Sequence, residues 1–238
     1  VRFRDVERIS EVIIVDDSPD VLQLDESACF RAAGGSVRID YVVLDAPHSI
    51  GHKRNIAAAR ANGDIVLHTD DDDLYSAARL EAQLAPLAAG AADVVVLTHE
   101  YTYFIEDDAL YGAKPADTLV PKRDESTGIS WGPHFGTLAW RRSLFGGAVV
   151  FPSTSSGEDY GFAQRAVQYK GARLVQVSSS PPMSSTSAPS ADAARHPVFI
   201  CVRHSANTWL WEAEQQHGVR ELSLRVDTSV AKAMMHPT

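Results

Sequence analysis

The chain has 238 residues, 45% of them hydrophobic, so it can bury a full core as one domain without disulfide or metal staples. A formal net charge of −9 argues against nucleic acid as the main partner, because no basic surplus exists to release counterions. Two cysteines, Cys29 and Cys201, form neither a disulfide framework nor a zinc-binding Cys-x-x-Cys, and no apolar run approaches the roughly 20 residues of a membrane span.

In chain order, Glu11 to Val15 is an apolar run that ends in Asp16-Asp17-Ser18-Pro19-Asp20. It reads as a buried strand followed by a turn that caps a helix. That helix is expected from Pro19 to Ala33, stopping at Gly34-Gly35. A second strand is expected over Ile39–Leu44, and a second helix from Gly51 through Lys53, Arg54 and Asn55 to Asn62-Gly63. A third strand, Ile65–Thr69, runs into Asp70-Asp71-Asp72-Asp73. A third helix is expected from Leu74, with Leu80, Leu84 and Leu87 at helical spacing, then a strand over Asp93–Thr98. Alternating strands and helices imply an α/β fold with a largely parallel sheet, whose ligands bind beyond the carboxyl ends of the strands. Both acidic clusters sit at such ends.

The second half is less regular. Tyr101–Ser130 reads as a variable insertion, and Trp131 to Gly136 is rich in aromatics and glycine. Glu158–Lys170 reads as a helix and Ala172–Val177 as a strand. Ser178–Ser190, rich in serine and proline, reads as a mobile loop, and Val198–Val202 as a last strand leading into Arg203-His204. Trp140 is expected in the core. Both thiols are expected to be buried and free.

Four consecutive aspartates repel one another unless a cation compensates. They suit a hard divalent ion such as Mg²⁺ or Mn²⁺, with Asp73 also able to cap the helix expected at Leu74. The plainer reading is a solvated acidic turn. Arg54 is equally readable as a surface ion-pair partner, and Glu158-Asp159 as carboxylates favoured by a helix dipole. His204 is readable as structural.

Taken together these segments resemble family 2 glycosyltransferases. The resemblance rests on Glu11–Ser18, on Gly51-His52-Lys53-Arg54-Asn55 with Asn62 to Val66 and the aspartates, on Glu158-Asp159-Tyr160 with Gln164-Arg165, and on Arg203-His204 to Trp209. It runs from about residue 11 to 211. It implies a GT-A-type, Rossmann-like fold over residues 1–238, with a nucleotide-sugar-binding half (1–100) and an acceptor and catalytic half (101–238). It further implies an inverting, metal-dependent transfer of sugar from a nucleoside-diphosphate donor to the hydroxyl of a saccharide or other acceptor.

In that scheme Asp17 contacts the base, Asp70 the ribose, and Arg54 the diphosphate or sugar, with Asp71 on the same donor side. Asp72 and His204 hold Mn²⁺ or Mg²⁺. Asp159 is the catalytic base and Glu158 its orienting neighbour, an order the sequence does not decide. The expected location is cytoplasmic, with peripheral membrane contact compatible. Relatives usually carry a strand and helix before the one at Glu11, whereas ten residues precede it here. The expectation is therefore either a truncated chain, its initial valine fitting a GTG start inside a longer gene, or one that has lost part of the base site. The alternative function is a non-catalytic, nucleotide-sugar-binding relic.

Overall fold

The computed structural model describes residues 9–20, 37–76, 78–113, 133–179, 198–203 and 223–226. The helix expected over 19–33, Cys29, Trp131, His204 and all but the first two residues of the serine-rich stretch lie outside them.

Strands β1 (Glu11–Asp16) and β2 (Arg38–Val43) pair in parallel, Glu11 opposite Arg38 through Asp16 opposite Val43. Helix α1 (Ile50–Arg60) follows. The Ser49 side chain caps it by accepting from the His52 N–H, and Arg60 in the last turn complements the helix dipole. Strand β3 (Ile65–Leu67) leads to the four aspartates.

The helix expected from Leu74 begins later. Leu74 and Tyr75 form a short strand, β4, and helix α2 spans Ala78–Ala88. β4 pairs antiparallel with β10 (Phe199–Arg203), Leu74 opposite Ile200. Asp73 is therefore not a helix cap. Its carboxylate accepts instead from the Val202 N–H at 2.8 Å, holding the acidic turn to β10. The strand expectation was hidden by a helical leucine spacing that is real only from Leu80 onward.

β5 (Val94–Thr98) is buried on both faces. Val94 and Val96 enter one cluster with Trp140, while Val95 packs with Leu87 and Ala139 on the other side, as the period of two requires. The region read as an insertion contains a hairpin, β6 (Tyr101–Phe104) with β7 (Ala109–Ala113), and β8 spans Pro133–Arg141. β9 (Leu174–Val177) runs parallel to β5, and β11 (Ser223–Val226) pairs with β7. The α/β class is borne out, and pairing within it is mixed. Among the described residues the sheets run β3-β8-β5-β9 and β11-β7-β6-β10-β4, with β8 antiparallel to both its neighbours.

Helix α3 (Glu158–Lys170) has the bounds its sequence gave. Gly157 enters it at φ 70° and Gly171 leaves it at φ 61°, donating to Ala166 and Val167 carbonyls. Its Phe162 stacks on Phe151 at 4.2 Å, and Trp140, fully buried as expected, packs on both. α1 and α3 meet across Pro152. A Cβ on Gly51 would lie 1.8 Å from the Pro152 carbonyl oxygen, and one on Gly161 would lie 2.6 Å from the proline ring. No helix among the described residues is long and apolar enough to cross a membrane.

Asp93, at the start of β5, accepts from the Arg173 side chain at 2.9 Å and from the Arg173 N–H at 3.0 Å. These bonds hold its carboxyl at about 2, below the ordinary 3.8. A depressed carboxyl stabilises the fold above its ordinary pKa, and that contribution is lost as pH falls through the folded value. Asp93→Asn should therefore lower the melting temperature at pH 6, and the difference from wild type should shrink between pH 4 and pH 2.

Candidate active site

The acidic turn sits over a buried cation. Arg79, 3% exposed on α2, donates to the His68 carbonyl, to Thr69 Oγ1 at 3.1 Å and to Gln83 Oε1 at 2.8 Å. Its guanidinium lies 4.0 Å over the Tyr75 ring, and the Tyr75 hydroxyl accepts from the Asp70 N–H at 3.2 Å. Gln83 in turn donates to the Thr137 carbonyl at 2.6 Å. The start of the turn is thus fixed through its backbone, and its end through the Asp73 carboxylate.

Arg54 is the second cation, carried by α1. It lies 3.1 Å from Asp70, 3.5 Å from Glu158 and 3.8 Å from Asp159. The neighbouring Asn55 explains how α1 is aimed: its side chain donates to the Phe151 carbonyl and accepts from the Phe151 N–H, both at 2.8 Å. That pair of bonds fastens α1 to the segment that leads into α3. His68, at the end of β3, fills the gap behind Arg54. Burial, then the charges of Arg54 and Arg79, hold it well below its ordinary pKa, so it is neutral. A neutral ring has one accepting nitrogen, so it accepts either from Trp140 Nε1 at 3.1 Å or from Arg54 Nη1 at 3.4 Å.

Asp70, Arg54, Glu158 and Asp159 are therefore brought together from β3, α1 and α3. Burial raises the Asp70 carboxyl, Arg54 opposes this, and Asp72 and Asp159 raise it further. Burial likewise raises Glu158, which is 4% exposed. Asp71 is exposed and Asp72 half-buried beside it. Asp17 stands apart at the end of β1. Its carboxylate accepts from Lys53 Nζ at 2.7 Å and the His48 N–H at 2.8 Å, and these bonds lower its pKa. His204 lies outside the described residues, one position beyond β10.

Arg54 pairs with three carboxylates, Asp70, Glu158 and Asp159, and Asp72 adds a fourth nearby. The donor set is all carboxylate oxygen at the turn, which fits Mg²⁺ or Mn²⁺.

The sequence model described as Glycosyl transferase family 2 matches residues 6–144, more than half of the chain. The chain belongs to that family. Among solved structures it is similar to S. aureus TarS 1–349 in complex with UDP-GlcNAc, at TM-score 0.52 and 17% identity, covering 89% of this chain and 56% of that one. The same fragment with UDP gives TM-score 0.51 and 18% identity, over 81% of this chain and 51% of that one. At such identities the likeness shows the GT-A fold. The chain spans about half the length of these structures. A comparison with curated proteins returned no match.

Sequence reasoning had assigned nothing to Asn55, His68, Tyr75 or Arg79. Asn55 stood beside Arg54 in a quoted motif and was the one within reach. Gly136, on β8, is a further constraint: a Cβ there would lie 2.5 Å from Asp70 Oδ2 and 3.0 Å from the His134 ring. Arg79→Met should leave the His68 carbonyl and Thr69 without their donor and the acidic turn without its underlying charge. Loss of one partner from a buried charged network costs about 3–5 kcal/mol. Chemical denaturation should show a loss of that order, whereas a change within ~0.5 kcal/mol would mean that the turn holds itself.

Proposed function

We propose that the chain transfers a sugar from a nucleoside-diphosphate donor to an acceptor hydroxyl with inversion, as one GT-A domain whose residues 1–100 bind the donor and 101–238 the acceptor. The observation that carries this reading is the meeting of Asp70, Arg54, Glu158 and Asp159 at the carboxyl end of β3 and the start of α3. The UDP-GlcNAc held by TarS supports a nucleoside diphosphate as the donor class.

Asp72, with His204, would hold Mn²⁺ or Mg²⁺, which when bound neutralises the diphosphate leaving group and orients the donor. Asp70 orients the ribose, with Asp71 at its exposed side. Asp17 binds the base through the lone pairs that Lys53 and the His48 N–H leave free. Arg54 contacts the diphosphate or the sugar, and in the absence of donor its guanidinium rests among the carboxylates.

The two carboxylates that open α3 divide by exposure. The Glu158 side chain is 5% exposed against Arg54, and that of Asp159 is 21% exposed. A base must reach the acceptor hydroxyl, so Asp159 is the base and Glu158 orients Arg54. Asp159 also accepts from the Tyr160 N–H at 2.6 Å, which fixes one of its oxygens and leaves the other facing the site.

Two variants test the assignment, measured with a panel of nucleotide sugars in the presence of Mn²⁺. Asp159→Asn should lower turnover by about 10²–10⁴-fold, the usual worth of a general base, with donor affinity by calorimetry unchanged within a few-fold. Glu158→Gln should cost less; if it costs more, the two roles are exchanged. Asp72→Ala should abolish transfer while the melting temperature stays level or rises, since one of several repelling carboxylates is gone. Near-normal activity of Asp72→Ala without added metal would refute the metal assignment.

A further inference from the structure

Behind the acidic turn lies a second group of donors that the proposed transfer does not use. Asp73, His134 and Cys201 each offer one ligand atom, and these atoms lie within 4.8 Å of one another. The three come from three elements: the turn before β4, the start of β8, and the middle of β10. Cys201 Sγ is 3.7 Å from His134 Nε2. Two donors that share one tetrahedral zinc ion, with bonds of about 2.0–2.1 Å to nitrogen and 2.3 Å to sulfur, stand roughly 3.5 Å apart.

Asp73 and His134 are each held in place by something other than their companions. The Asp73 carboxylate accepts from the Val202 N–H, an outer contact of the sort that orients a metal-binding carboxylate. The His134 ring is packed 4.9 Å from Phe199 and edge-on to His99 at 5.3 Å. Yet the imidazole itself is uncommitted. Its Nδ1 is buried without a hydrogen-bond partner, and Nε2 has only the long contact to sulfur. Cys201 is 1% exposed, while Asp73 and His134 are half-buried.

We propose that Asp73, His134 and Cys201 form a binding site for a thiophilic divalent cation of the Zn²⁺ class, separate from the Mn²⁺ or Mg²⁺ site proposed at Asp72. Sulfur and imidazole donors select against Mg²⁺ and Mn²⁺ and in favour of Zn²⁺ or Co²⁺. The thiol gives its proton to solvent as the cation enters, and the thiolate becomes the ligand. Three protein ligands leave a fourth position for water, on the side facing the turn. Because the ligands tie the acidic turn, β8 and β10 together, occupancy fastens the floor of the donor site. The proposal does not rest on glycosyl transfer.

Co²⁺ titration of the chelator-stripped full chain tests it without any assay of activity. One equivalent of Co²⁺ should produce a thiolate-to-metal charge-transfer band in the near ultraviolet, displaced by one equivalent of Zn²⁺. Zn²⁺ should also raise the melting temperature, by mass action on the native state. Cys201→Ser should abolish the band, and Cys29→Ser and Asp72→Ala should retain it. His134→Gln and Asp73→Asn keep the thiol and should each weaken Zn²⁺ binding by at least about tenfold. These two also cover the case in which Cys201→Ser fails to fold. Absence of the band, its survival in Cys201→Ser, its loss in Cys29→Ser, or wild-type Zn²⁺ affinity in both His134→Gln and Asp73→Asn would overturn the site.

Discussion

Four carboxylates in succession can be held at a strand end only if something opposes their mutual repulsion, and in this chain the opposition begins with Arg79. A buried guanidinium is expensive unless its donors are satisfied. Here they meet the His68 carbonyl, Thr69 and Gln83, and its face meets Tyr75. The cation thus serves twice. It offsets negative charge at Asp70 and Asp73, and it fixes the backbone from His68 to Asp70 through main-chain and hydroxyl contacts. Arg54 then works from the opposite wall, against Asp70 and the two carboxylates that open α3.

The division of labour between the two arginines follows from their burial. Arg79, 3% exposed, makes bonds to neutral groups and to the backbone. Arg54 makes ion pairs of 3.1 to 3.8 Å to three acids, a looser arrangement that an anionic ligand could exchange for its own oxygens. The first is a structural cation and the second an exchangeable one. The diphosphate donor proposed above would need both kinds.

Much of this was legible in the sequence because it is local. β1 announces itself by an apolar run, and Arg54, Asp70 and the Glu158-Asp159 pair stand in motifs legible along the chain. What was not legible depends on contacts between distant residues. Asp73 looked like a helix cap because Leu80, Leu84 and Leu87 extend a helical spacing back to Leu74. Its real partner, Val202, is 129 positions away. β4 is two residues long and exists only because β10 pairs with it, so no periodicity could reveal it. The hairpin of β6 and β7 alternates aromatic and small residues too briefly to stand out among charges. A cysteine and a histidine 67 positions apart carry no linear signature at all.

The near-contact of Gly51 with the Pro152 carbonyl has a consequence for how this site can change over generations. With the Gly161 and Pro152 ring contact beside it, the crossing of α1 and α3 is too close for an added methyl group at either glycine. Residues sharing one contact do not vary independently. A side chain at position 51 would become acceptable only after the 152 segment had already shifted, and that shift would carry Phe151 away from Asn55 and so re-aim Arg54. The accessible evolutionary steps around this crossing are therefore few and order-dependent. Novelty in the protein is left to segments that do not touch it.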